Sequence, residues 1–250
     1  MKKMTYLFIC MILTFGNGFA QSLEKQAPLG FDVVRNDIPK GKIDTISYNS
    51  KTVGVTRKAI IYTPPSYSKS KKYPVLYLLH GIGGDEKEWL THGQPQVILD
   101  NMYADGKLEP MIVVMPNGRA MKDDRATGNI MAPDKVEAFA TFEKDLLNDL
   151  IPFIEKKYPV LKDRENRAIA GLSMGGFQTL DLTLSRPELF NYVGVFSSGF
   201  FGPTIDEAET KYAGVLNDSS FNKNKKLFWI EIGKDDFVMD ANKKTLALLD

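Results

Sequence analysis

Thiol and imidazole are scarce in this chain: its 250 residues hold one cysteine and two histidines. The cysteine, Cys10, falls within the first twenty residues, so the rest of the chain has no disulfide and no thiol nucleophile. His80 and His92 stand at no ligand spacing, which leaves a zinc site without donors; neither a metal nor an organic cofactor is expected. Charge of one sign is not in excess either. With a formal net charge of +1 and no long like-charge run, no basic face exists to neutralise phosphates, and neither nucleic acid nor an anionic membrane is an expected partner. Repeats and low-complexity tracts are absent, as is any apolar run of the roughly 20 residues that a bilayer core requires. What remains, 43% hydrophobic and 25% charged residues, is the composition of one globular domain with a substantial core.

The opening MKKMTYLFICMILTFGNGFA places two lysines before a largely apolar stretch at 6–15 and ends on the small residues Gly18 and Ala20. That is the pattern of a secretory signal peptide over 1–20, cut after Ala20, so the expected location is secreted or periplasmic, off the membrane once cleaved. Cleavage removes two lysines and no acid, taking the formal charge from +1 to −1. Bulky Ile9 before Cys10 suits lipoprotein processing poorly. Polar residues 21–42 read as an arm that leads into a domain occupying 43–250.

Alternation over 45–48 and 55–62, split by Asn49, Ser50 and Gly54 and ended by Pro64 and Pro65, predicts an antiparallel hairpin at a sheet edge. Segments 75–79, 111–115, 167–170, 192–196 and 227–232 are short apolar runs, the mark of strands buried on both faces. Stretches of helical period lie between them. Over 142–158, Phe142, Leu146, Leu150, Phe153 and Ile154 make an amphipathic stripe, which Pro152 should kink by removing a backbone hydrogen bond. Strands alternating with helices predict an α/β fold, a mainly parallel sheet with helices on both faces. In such sheets ligands bind beyond the carboxyl ends of the strands.

Three segments bring chemistry to that rim. In AIAGLSMGG, Gly171, Ser173 and Gly175 give G-x-S-x-G directly after a strand and before a helix that should stop near Ser185, ahead of Pro187. The pentapeptide alone is weak; at a tight strand-to-helix turn it lifts a serine Oγ above the sheet as a nucleophile. In LYLLHGIGG, the glycines after the strand let backbone N–H groups approach a substrate, and Ile82 with Met174, the residue after the serine, are the expected oxyanion donors. His80 beside them is read as orienting that loop. In FWIEIGKDDF, a strand delivers Asp235 and Asp236 to the same rim, where one carboxylate can orient an imidazole; solvated surface acids are the plainer reading of the pair.

Together these segments resemble the putative esterase family of α/β-hydrolases, which holds feruloyl, acetylxylan and enterochelin esterases, the esterase D group and mycolyltransferases. RKAIIYTPPSY, KKYPVLYLLHGIGGDEKEW, LEPMIVVMPNG, IAGLSMGGFQTL and IGKDDF carry the resemblance from about Gly41 onward. It implies the α/β-hydrolase fold, Ser173 as nucleophile, Asp236 as the triad acid, and Ile82 and Met174 as oxyanion hole. The motifs are most similar to those of feruloyl and acetylxylan esterases, which implies an acylated plant cell-wall polysaccharide or oligosaccharide as substrate. Trp89, Phe200 and Phe201 follow motif strands, where an aromatic either stacks on a sugar or phenolic ring or packs the core.

One element departs from the pattern. The order Ser, Asp, His places the base after Asp236, yet 237–250 hold no histidine, and His92, which precedes the serine, would break the order. The expectation is that the base lies beyond residue 250 and that the domain is incomplete at its C-terminus. A peptidase or an enterochelin-type esterase on the same fold, and a non-catalytic module that keeps the pocket without a base, are the alternatives.

Overall fold

In the computed structural model the described residues are 27–201 and 204–250, so the apolar segment read as a signal peptide lies outside them. Residues 1–31 and 32–250 are two separate units. Of the first, only 27–31 are described, a turn in which Phe31 N–H donates to Pro28 O at 3.2 Å.

The second unit is built on strands whose burial follows their sequence pattern. β1 (Lys42–Ser50) alternates exposed and buried residues toward its end and pairs antiparallel with β2 (Val55–Thr63), from Lys42 opposite Thr63 to Ser50 opposite Val55. β3 (Val75–Leu79) and β4 (Ile112–Pro116) expose almost nothing on either face, which is why their apolar runs are unbroken. β5 (Arg167–Leu172), β6 (Tyr192–Phe196) and β7 (Leu227–Glu231) complete the sheet, in the order β1-β2-β4-β3-β5-β6-β7. β2 meets β4 antiparallel, and every pairing from β4 to β7 is parallel. The hairpin predicted at a sheet edge is that edge.

The helices are α1 (Pro95–Ala104), α2 (Pro133–Asp145), α3 (Ile151–Lys157), α4 (Met174–Ser185), the short α5 (Thr204–Lys211) and α6 (Ala213–Leu216), and α7 (Met239–Leu249). Alternate residues of β3 and β4 divide between two apolar clusters, as the pleat requires. Tyr77, Leu79, Ile112 and Val114 join Phe142, Leu146, Leu150, Ile154 and Leu180 from the α2–α4 side. Leu78, Val113 and Met115 join Ile60 and Tyr62, with Leu99 and Tyr103 of α1 against them.

The kink expected from Pro152 takes a different form. α2 begins at Pro133, well before the apolar stripe, and α3 follows it through a π-helical turn, Leu146–Leu150, in which Ile151 N–H reaches back to Leu146 O. Proline has no N–H and its ring crowds the carbonyl four residues earlier; widening the preceding turn removes both conflicts without breaking the helix.

Candidate active site

Ser173 joins β5 to α4 with φ 53° and ψ −114°, a conformation that costs an L-residue about 1–3 kcal/mol and persists only where the surroundings enforce it. They do. Ser173 N–H donates to Phe196 O at 2.9 Å, and Ser173 O accepts Ser198 Oγ–H at 2.6 Å and Phe177 N–H at 2.9 Å. The turn also presses on the neighbouring strand: a Cβ on Gly175 would stand 2.6 Å from both Leu79 O and His80 O, so only glycine fits there. Among the described residues Ser173 Oγ has no hydrogen-bond partner, and it stands over the first turn of α4, whose unpaired N–H groups favour negative charge.

Beside it runs the loop that follows β3. A Cβ placed on Gly81 would lie 3.6 Å from Ser173 Cβ. The N–H groups of Ile82 and of Met174 donate to no protein acceptor among the described residues, Met174 because it opens α4. His80 is buried and its tautomer follows from its partners. Gly81 O, 2.7 Å from Nδ1, only accepts, and Gly118 N–H, 2.8 Å from Nε2, only donates, so the proton is on Nδ1. The 3.2 Å approach of Asn117 Oδ1 to bare Nε2 is then a contact without a hydrogen. Burial lowers the His80 pKa, in keeping with a neutral ring. Both nitrogens are thus committed to backbone, and His80 orients the loop. His92 is exposed in the turn Trp89–Gly93; among the described residues no imidazole bonds Ser173 or Asp236.

Behind the loop stands a buried charged network. Arg119 is wholly buried; its Nη2 donates to Ile82 O and its guanidinium lies 5.0 Å from the Phe139 ring centroid. Arg57 of β2 donates from Nη2 to Asn117 O at 2.7 Å and to Arg119 O at 2.9 Å, and pairs through Nη1 with Asp145 of α2. Tyr48 OH closes the group on Asp145 Oδ2 at 2.6 Å, and burial raises its pKa. The edge hairpin and α2 therefore fix the backbone that in turn fixes the loop.

Asp236 follows β7 on the same rim. It is half-buried, and its Oδ1 accepts Val238 N–H at 3.0 Å, ahead of α7. Asp235 is 87% exposed and beside Lys234. The start of α7 reaches toward the surroundings of Ser173 through Asn242 Nδ2–H, which donates to Ser198 O at 2.8 Å. No three His, Cys, Asp or Glu side chains converge to hold a metal among the described residues.

This architecture is shared with known proteins, and a family model described as "Putative esterase" matches residues 50–249. The chain belongs to the putative esterase family. Its fold is the α/β-hydrolase fold. A relative from Xylanibacter ruminicola named endo-1,4-beta-xylanase/feruloyl esterase is 42% identical over 178 residues, 69% of this chain. The chain spans about a quarter of that relative's length, 24%. A solved ferulic acid esterase superposes with a TM-score of 0.70 at 28% identity, over 84% of this chain and 86% of that one. The ferulic acid esterase of Anaeromyces mucronatus gives 0.68 at 24% identity over 89% and 94%, a likeness of fold.

Within this esterase-family chain the aromatic candidates part company. Phe200 is 2% exposed, edge-on to Phe177 and stacked on Tyr212, so its ring packs the core and is not a stacking surface for substrate. Phe201 lies against Phe177 at 6.5 Å. Trp89 is half-buried, donates its indole N–H to Leu79 O at 2.9 Å and meets Phe196 edge-on. Sequence reasoning passed over Arg57, Asp145, Arg119 and Ser198 altogether. Arg57, Arg119 and Ser198 bond backbone oxygens distant in sequence, and Asp145 bonds the distant side chains of Tyr48 and Arg57; a single polar residue with such a partner leaves no periodic trace.

Proposed function

We propose that this chain is a serine carboxylic-ester hydrolase that removes feruloyl or acetyl groups from plant cell-wall polysaccharide outside the cytoplasm. The observation that carries the reading is the enforced backbone of Ser173, with the unengaged Ile82 and Met174 N–H groups at its side. Ser173 Oγ attacks the ester carbonyl while an imidazole oriented by Asp236 takes its proton; the tetrahedral oxyanion is held by the two N–H groups. Collapse expels the sugar hydroxyl, protonated by the same imidazole, and water then releases the acid from the acyl-enzyme. Neither His80, with both nitrogens bonded, nor exposed His92 has the geometry for that imidazole. The remaining surface of Trp89 is offered to a sugar or phenolic ring. The names of the Xylanibacter ruminicola relative and of the ferulic acid esterases support the substrate class.

The test is turnover of methyl ferulate and p-nitrophenyl acetate, with and without added imidazole as a free base. Imidazole should accelerate the parent, and Ser173→Ala should lose that acceleration together with labelling by a fluorophosphonate. A labelled Ser173→Ala protein would remove Ser173 from the mechanism. Among the described residues no imidazole bonds Ser173, and that observation favours one other reading, a module that binds acylated sugar without cleaving it. Binding of feruloylated oligosaccharide with no imidazole-supported turnover would establish that reading instead.

A further inference from the structure

Four side chains grip the backbone from Leu79 to Ile82. Trp89 Nε1–H donates to Leu79 O at 2.9 Å, Glu88 Oε2 accepts Gly81 N–H at 2.7 Å, His80 Nδ1–H donates to Gly81 O at 2.7 Å, and Arg119 Nη2 donates to Ile82 O. Gly81 is thereby held at both its N–H and its C=O. A trans peptide is planar, so fixing Gly81 O fixes Ile82 N–H in the opposite direction. His80 alone would leave a pivot, because glycine is the residue most free to turn about its own φ and ψ. The bond from Gly81 N–H to Glu88 removes that freedom.

The site is shaped around this carboxylate. A Cβ on Gly84 would stand 2.2 Å from Glu88 Oε2 and 2.5 Å from Glu88 Cδ, so the glycine at 84 leaves the volume that the acid fills. The carboxylate is also near the chemistry, since both its oxygens lie 3.7 Å from a Cβ placed on Gly81, itself 3.6 Å from Ser173 Cβ. A negative charge there opposes an oxyanion, and its presence calls for a compensating role. That role is geometric: Glu88 withdraws Gly81 N–H from competition and leaves Ile82 N–H as the loop's donor.

We propose that Glu88 is the positioning residue of this loop, holding Gly81 so that Ile82 N–H stays aimed at the oxyanion formed on Ser173. The inference rests on the reading of Ser173 as the acylated nucleophile. In the imidazole-supported assay Glu88→Ala should lower kcat by about 10- to 100-fold with KM little changed, since a loosened donor is missed in the transition state and not in the ground state. Glu88→Gln should recover most of the loss, because the amide oxygen accepts the same N–H. Amide hydrogen exchange at Gly81, read by NMR, should accelerate in the alanine variant and stay slow in the glutamine one. An unchanged kcat in Glu88→Ala overturns the proposal, as does an equal loss in both variants, which would make the charge and not the acceptor important. If the parent turns over no ester at all, the Ser173 reading has failed, and Gly81 exchange decides alone: protection that persists in Glu88→Ala overturns the grip, and protection lost sustains it.

Discussion

The loop after β3 and the loop after β7 leave the sheet at the same rim, on either side of β5, and they are built differently. The first is bonded to buried His80 and Arg119, which are braced in turn by Gly118 and by Arg57 and Asp145. The second carries Asp235 at 87% exposure and Phe237 at 94%, and Asp236's side chain accepts from Val238 N–H, only two residues on. The half of the site that would stabilise an oxyanion is thus part of the fold's interior. The half that would orient a base is a surface turn. Donors fixed before the reaction need no reorganisation during it, whereas a carboxylate that orients an imidazole acts only once the imidazole is in place.

Damage to the interior half should have the largest effect. Asp145→Asn takes the nearer carboxylate from the buried Arg57 guanidinium and leaves only Asp124, 3.9 Å from its Nε, so urea unfolding should show a loss of up to about 3–5 kcal/mol. The pair Arg57→Met with Asp145→Leu should regain most of that stability, since apolar replacement of a buried ion pair is often neutral. Its imidazole-supported kcat should nevertheless stay low, because Asn117 O and Arg119 O lose their donor. A loss under about 1 kcal/mol in Asp145→Asn would mean that the pair is not the brace described, as buried pairs broken singly lose far more.

The surface half should respond at one position. Asp236→Asn should reduce the imidazole-supported rate by about tenfold to a hundredfold, the worth of a hydrogen bond to a charged partner, while fully solvated Asp235→Asn should leave it unchanged. The opposite ranking in kcat/KM would move the acid to Asp235.

How far the sequence discloses all this follows from the range of each interaction. β3 is legible to the residue because a strand buried on both faces must be apolar throughout, β6 by its apolar run even though Tyr192 at its start is exposed, and the elbow because strand, serine and glycines are contiguous. The start of α2 is not: its first turn is exposed, and the apolar stripe begins only at Ala138, Phe139 and Phe142. The π turn before Pro152 keeps Leu146, Leu150 and Ile154 buried, so the stripe looks the same with or without it. Phe200 was undecidable locally, since its burial depends on Phe177 and Tyr212, from other elements. The resemblance singles out Asp236 over Asp235 by its place in IGKDDF, which says nothing of exposure.

His80 separates the two halves by pH as well, with the smallest expected effect. Its ordinary value near 6.5 is lowered in the folded chain, by burial first, so the folded state keeps the ring neutral where the unfolded chain has begun to protonate it. Below about pH 6.5 the unfolded state therefore binds the extra proton, and stability contributed by His80, fully present above that pH, declines as pH falls through the folded value. The slope cannot exceed about 1.4 kcal/mol per pH unit for one group. Surface carboxylates add their own acid dependence, but they do so equally in a variant that differs only at position 80. Urea unfolding of the parent and of His80→Gln should accordingly be compared between pH 4.5 and 7.5. The parent's advantage should be greatest and flat above about pH 6.5, then shrink toward the acid side as the neutral ring loses its preference. Protonation at Nε2 also removes the acceptor for Gly118 N–H, so over the same interval Gly118 should lose amide protection relative to its intrinsic exchange rate, while Val238, whose partner is the Asp236 carboxylate, should not. A stability difference that does not vary with pH would show that the folded chain does not hold His80 neutral, and the bond from Gly118 to Nε2 would have to be abandoned with it.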